Sequence, residues 1–193
     1  MQVFDTRELK VSLWFVACMV KEWWRLKLRD ERQVILRFLK AEDRDSLYQC
    51  FSSMSDKTLE WSMAPYMMDR IQRWIDSIPN RIPLVAEFEN RIVGYAGIYK
   101  FPQPRRKGTG DLVIYLHQDF HNVGLGTAMT KKLLELARRE EMHKIELQAV
   151  ADNTIAIRLY KRFDFKVEGI SEDSFLGFDG NYHDMIHMGL VLT

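Results

Sequence analysis

The sequence predicts one mixed α/β domain, with a largely antiparallel sheet flanked by helices and an extra helical arm ahead of it. Three observations carry that expectation. Short β-branched and aromatic runs alternate with longer stretches of helical apolar spacing, the pattern of strands and helices packed in layers. Two strand-like runs, Leu84 to Phe88 and Ile92 to Ile98, flank the turn pair Glu89-Asn90, which marks an antiparallel hairpin. A third run, Leu112 to Leu116, stops at His117-Gln118-Asp119 and leads through two glycines into a helix. At 193 residues and 47% apolar content, the chain has the length of one domain and enough apolar side chains to fill its core.

By composition residues 1–30 form an aromatic-rich arm and residues 31–193 the domain. Asp5 to Glu8 has capping-box spacing, and Leu9 through Leu28 is nearly continuous in apolar and aromatic residues, including Trp14, Phe15, Trp23 and Trp24, so a helix is expected. Its apolar centre, Val11 to Val20, is about half the length a bilayer span needs. The start is not basic and no small-residue cleavage site follows, which excludes a signal peptide. The arm is therefore read as packing on the domain or on a second subunit, giving a homodimer, and not as a membrane anchor.

In the domain, Arg32 to Phe38 alternates as a first strand, and Ala41-Glu42-Asp43 opens an amphipathic helix through Leu47, Tyr48 and Phe51. Ser52 to Ser77 holds Met54, Trp61, Met63, Tyr66, Met67, Met68 and Trp74 on an expected pair of helices that ends near Pro79. The basic run Arg105-Arg106-Lys107 falls in a loop with prolines and glycines and reads as a solvated segment. After the central helix come a buried strand, Lys144 to Val150, a short helix, Asn153 to Arg162, and two closing strands, Phe165 to Glu168 and Met185 to Val191.

Charge and cysteine usage exclude several classes. With 28 basic and 27 acidic residues the net charge is +1, so there is no overall electrostatic footprint for nucleic acid. Cys18 and Cys50 have no metal spacing and no secretory context, which reads as reduced thiols in a cytoplasmic protein. His183 and His187 are four apart on a strand, sharing a face but lying far apart, so no metal is expected.

The chemistry concentrates between Asp111 and Thr130. Leu125, Met129, Leu133, Leu134 and Leu136 form one face of a helix, with Lys131, Lys132, Glu135 and Arg138 on the other. Ahead of it, His121-Asn122-Val123-Gly124-Leu125-Gly126 brings glycines and unpaired amides to a helix start, an arrangement that binds phosphate. No lysine follows the second glycine, and the spacing is not a dinucleotide fingerprint, so the anion is neither ATP nor NAD.

Three blocks together, FHNVGLGTAMTKKLLELA from Phe120, IELQAVADNTIAIRLYKRFDF from Ile145 and GFDGNYHDMIHMGLVL from Gly177, resemble the GNAT family of N-acetyltransferases. The family's loop reads Gln/Arg-x-x-Gly-x-Gly/Ala, here His121-x-x-Gly124-x-Gly126, and its second block ends in Gly-Phe, here Asp164-Phe165. The resemblance implies a GNAT-type fold and an enzyme that moves an acetyl group from acetyl-CoA to a small-molecule or protein amine, without a metal. The amides of His121, Asn122, Val123, Gly124, Leu125, Gly126 and Thr127 would hold the coenzyme pyrophosphate, Leu116 would pair with the pantetheine arm, and Asn153 would bond the coenzyme. Tyr160 would protonate the leaving thiolate. The base would be Asp111, which stands where many members carry Glu, or Glu87 on a neighbouring strand. His121 in place of Gln or Arg implies a weaker or pH-sensitive phosphate contact, and Asp164 a differently built turn. The alternative is a non-catalytic acyl-CoA-binding regulator of the same fold.

Overall fold

Eight strands lie side by side in one sheet: β1 (Trp23–Lys27), β2 (Gln33–Phe38), β3 (Arg81–Phe88), β4 (Arg91–Lys100), β5 (Thr109–Leu116), β6 (Lys144–Val150), β7 (Lys166–Leu176) and β8 (Tyr182–Val191). Their order is β1-β2-β3-β4-β5-β6-β8-β7. The helices are α1 (Arg44–Ser52), the single turn α2 (Asp56–Leu59), α3 (Met68–Asp76), α4 (Leu125–Arg139) and α5 (Thr154–Lys161). This computed structural model describes residues 22–192. The arm through residue 21, with the helix expected there, Cys18 and the homodimer contact assigned to it, lies outside the described residues. Among them no helix is long and apolar enough to cross a membrane.

Every neighbouring pair of strands is antiparallel except β5 with β6. The exception follows from connectivity, because β5 returns through α4, the kind of crossover a parallel pair requires. The β3–β4 hairpin has left-handed φ angles of 48° and 61° at Glu89 and Asn90, as a two-residue turn matched to strand twist demands.

The alternation of strand side chains divides the core between the two faces of the sheet. On one face Leu125, Met129, Leu133 and Leu136 of α4 are fully buried against Leu36, Leu84, Ala96 and Ile98. On the other, Leu47 and Phe51 of α1 and Ile71 of α3 pack on Val85 and Tyr95. Cys50 is buried there, and burial pushes its thiol up to about 12.

The structure corrects the sequence reading in two places. The helix expected through Leu28 does not extend over Trp23–Lys27, which is an edge strand paired with β2 from Trp23↔Arg37 to Lys27↔Gln33. The pair of helices expected between Ser52 and Ser77 is present, as one turn and one nine-residue helix separated by irregular backbone around Pro65. β7 runs to Leu176, well past Glu168, because as an edge strand it is exposed on most of its length and carries no clean apolar alternation.

Beside the main core, a group of three charges ties β2 to β3 and to the turn before α1. The Arg37 side chain, 16% exposed, donates from Nη1 and Nη2 to Asp43 at 2.6 and 2.9 Å and from Nε to Glu87 Oε2 at 2.8 Å. Removing the cation leaves two largely buried carboxylates unpaired. Arg37→Ala is expected to lower unfolding stability by about 3 kcal/mol, read from the urea midpoint.

Candidate active site

β5 and β6 pair only from Thr109↔Lys144 to Asp111↔Glu146, although β5 continues to Leu116 and β6 to Val150. Beyond Asp111 the strands part, and a cleft of about 940 Å³ opens between the end of β5, the start of α4 and α5. Ile114, Tyr115 and Leu116 form one wall, and Asn153, Ala156, Leu159 and Tyr160 form the other.

The glycine loop closes one end. Asn122 and Gly124 have left-handed φ angles of 58° and 94°, and Gly124 is the N-cap of α4, so the first amides of the helix are left open toward the cleft. His121, Asn122, Gly124, Gly126 and Thr127 line the cleft, whereas Val123 packs on the core and Leu125 is fully buried. A Cβ on Gly126 would lie 3.4 Å from the Leu116 and Leu159 side chains, so both cleft walls approach the helix closely there. His121 donates from Nε2 to the Leu116 carbonyl at 3.0 Å, which brings two of the expected coenzyme contacts together.

Asn153 is the N-cap of α5, its Oδ1 accepting from the Ala156 N–H at 3.1 Å. One helical stretch later Tyr160 is 6% exposed and lines the cleft. Burial, and then the negative charge of Asp111, push its phenol well above the ordinary range. Asp111 faces Glu146 across the last paired position of β5 and β6. Burial, reinforced by the Glu146 carboxylate, raises Asp111 to about 6, against the opposing pull of Arg81 and Arg106. Tyr160 thus senses the charge of Asp111, which sits at the last paired position of β5 and is not itself among the residues that line the cleft.

Glu87 is not brought to this point. It is held by Arg37 and lines a separate hollow with Trp23, Arg25 and Ile35. The position suggested by strand adjacency is wrong because the register shift between Ala86 and Glu87 and the buried cation give the carboxylate another role. The basic loop is also accounted for: Arg106 donates to Glu146 at 2.6 Å and stacks on Phe101 at 3.6 Å. Asp164 takes a φ of 65°, so the turn ahead of Phe165 is left-handed despite the aspartate, and not of a different kind.

The methionine and tryptophan set divides. Met54 and Trp61 line the cleft, Tyr66 and Trp74 join Phe51, Tyr95 and Tyr115 in an aromatic cluster, and Met63 and Met67 are exposed. His183 lies between Asp152, at 2.6 Å, and Asp179, at 3.2 Å, while His187 meets Ser171 Oγ at 2.7 Å, so the two histidines have different partners.

Sequence reasoning missed Glu146, Gln118 and Arg29. Glu146 lies among Lys144 and Gln148 on the polar side of an alternating strand, so nothing in the sequence singled it out. Gln118 accepts from Ser55 N and Thr58 Oγ1 and donates to the Ser53 carbonyl, fastening the α1–α2 segment to the end of β5. Nothing in its sequence neighbourhood points to partners more than fifty residues away.

A family model for the acetyltransferase (GNAT) family matches residues 44–165. The chain belongs to the GNAT acetyltransferase family. It is 25% identical over 161 residues to an L-amino acid N-acetyltransferase of Escherichia coli, covering 82% of this chain and 98% of that protein. It is 24% identical over 121 residues to an L-methionine sulfoximine/L-methionine sulfone acetyltransferase of Pseudomonas aeruginosa, covering 61% and 70%. In fold it resembles a GNAT acetyltransferase from Streptococcus pneumoniae, with a TM-score of 0.73 and 21% identity over 82% of this chain and 99% of that one. It also resembles a Salmonella typhimurium structure solved with its cofactor acetyl-CoA, with a TM-score of 0.72 and 22% identity over 83% and 94%. The protein is thus an N-acetyltransferase with the GNAT fold.

In this GNAT chain the raised Asp111 pKa sets a sign for stability. The folded state holds a proton between about pH 4 and 6 that the unfolded state has released, so this group lowers stability as pH rises through that window. Asp111→Asn is expected to be more stable than the parent at pH 8, by up to about 3 kcal/mol, and to lose that advantage at pH 4. Thermal or urea unfolding at the two pH values checks this.

Proposed function

We infer that the chain acetylates the amine of a small, amino-acid-like molecule at the expense of acetyl-CoA, with Tyr160 as general acid and Asp111 as general base. The observation that carries this reading is that Tyr160 lines a coenzyme-sized cleft that opens where β5 and β6 part, immediately beyond Asp111. The cleft's dimensions and the open amides beside Gly124 fit an elongated coenzyme with a diphosphate. Bound acetyl-CoA supplies the thioester carbonyl and the leaving thiolate.

The amides of the glycine loop neutralise the diphosphate, and Asn153, with its Oδ1 committed to the helix cap, keeps its amide NH₂ for the coenzyme arm. Leu116 presents its strand edge once the His121 ring turns from its carbonyl. Asp111, near pKa 6, is ionised at neutral pH and, set back from the cleft lining, accepts the amine's proton through water. Tyr160 remains protonated and delivers its proton to the departing sulfur. Trp61 and Tyr115 border the cleft with apolar surface, which suits a compact acceptor better than a peptide. The relatives named for amino-acid and methionine sulfone acetylation support the same class.

Tyr160→Phe is expected to lower kcat by about 100-fold or more while leaving acetyl-CoA affinity in place. Unchanged turnover would remove Tyr160 as the acid. The kcat/KM profile should show an acid limb near pH 6 that Asp111→Asn abolishes along with most of the rate. A thiol-release assay across free amino acids, methionine sulfone, polyamines and N-terminal peptides decides the acceptor. Turnover on amino acids well above peptides is expected, and the reverse order would overturn the small-acceptor assignment.

A further inference from the structure

The turn between β1 and β2 lies against the glycine loop. The Arg29 N–H donates to the Val123 carbonyl at 3.0 Å, and Arg32 donates from Nη2 to the Asp119 carbonyl at 2.6 Å while its guanidinium lies 3.9 Å over the Phe120 ring. These contacts fix the turn beside the N-terminus of α4. Two of its cations are balanced, Lys27 by Glu31 and Arg32 by Asp30. The Arg29 side chain has no carboxylate partner among the described residues. It lines the cleft, and a Cβ built on Gly124 would stand 3.7 Å from both its Cγ and its Nε.

A guanidinium with no carboxylate partner among the described residues is thus set beside the left-handed N-cap whose amides open toward the cleft. Amides alone offer partial charges, whereas a diphosphate brings full negative ones, and a guanidinium adds the full positive charge and forked donor geometry that those amides lack. Arg29 belongs to the turn of the β1–β2 hairpin, so this contact reaches the glycine loop from a segment distant in sequence. The geometry points to Arg29 as a coenzyme-binding residue that engages the diphosphate of coenzyme A across the mouth of the glycine loop. This rests on the reading of the cleft as a coenzyme A site.

Arg29→Gln removes the charge and leaves the backbone bond to Val123 in place. Calorimetric titration of the wild-type chain, Arg29→Gln, Arg29→Lys and, as a control on the same hairpin, Arg25→Gln with coenzyme A, 3′-dephospho-coenzyme A and pantetheine tests the assignment. Arg29→Gln should weaken both nucleotide forms by the same factor, about tenfold, raise KM for acetyl-CoA at constant kcat, and leave pantetheine binding unchanged. Arg29→Lys should recover part of the loss, and Arg25→Gln, whose side chain lines the separate hollow, should show none. Equal affinity of Arg29→Gln and wild type would overturn the inference. So would a loss seen with coenzyme A and absent with the dephospho form, since the partner would then be the 3′-phosphate. Failure of the wild-type chain itself to bind coenzyme A would overturn the cleft's assignment, and the inference with it.

Discussion

The site depends on the parting of β5 and β6 after three paired residues. Two parallel strands joined by a helix must each deliver their chain to the same edge of the sheet, so both βα connections emerge at the carboxyl ends. Here those connections are the glycine loop and the Asp152–Asn153 turn. As long as the strands stay paired, their backbone groups satisfy each other and nothing can enter. Once they diverge, the edge of β5 and two helix starts, α4 and α5, face a common space. A single topological feature thus produces the open strand edge, the amide-lined loop and the position of Tyr160.

Holding that space open requires the loop ends to be rigid, and the chain supplies this from both sides. Arg29 and Arg32 secure the glycine loop to the β1–β2 turn, and Gln118 secures the end of β5 to the α1–α2 segment. The buried charges are kept apart by function. Arg37 draws Glu87 and Asp43 into a closed group distant from the cleft, while Asp111 and Glu146 share a strand boundary with Arg106 answering only Glu146 by direct contact. Burial, with the Glu146 charge added to it, raises the proton affinity of Asp111.

The sequence made the centre of the molecule legible and its periphery less so. The strand of Lys144–Val150, the helix from Leu125 and the Glu89-Asn90 hairpin were readable because periodicity, glycine placement and turn chemistry agree there. Trp23–Lys27 read as helix because its apolar residues continue those of the arm, and only pairing with β2 makes it a strand. β7, exposed on an edge, had no pattern to read beyond Glu168. At the site, the loop, Asn153 and Tyr160 were carried by motif spacing, whereas Arg29 and Gln118 depend on contacts between distant segments. Glu87 illustrates the converse. Adjacency of strands suggested a second base, but which cation a carboxylate finds is decided by tertiary packing, here by Arg37.

The coupling of Asp111 with Tyr160 also bears on the order of proton transfers in the proposed mechanism. In the resting site the ionised aspartate raises the phenol's pKa, so Tyr160 holds its proton firmly and is a poor acid. When Asp111 takes the amine's proton, its charge disappears and with it one of the two causes of that elevation. The phenol becomes a stronger donor at the stage when the sulfur begins to leave. Burial still keeps it protonated until then, which prevents loss of the proton to solvent. An acid and a base placed too far apart to sense each other would each need a compromise pKa. In the proposed mechanism the charge state of Asp111 sets the readiness of Tyr160.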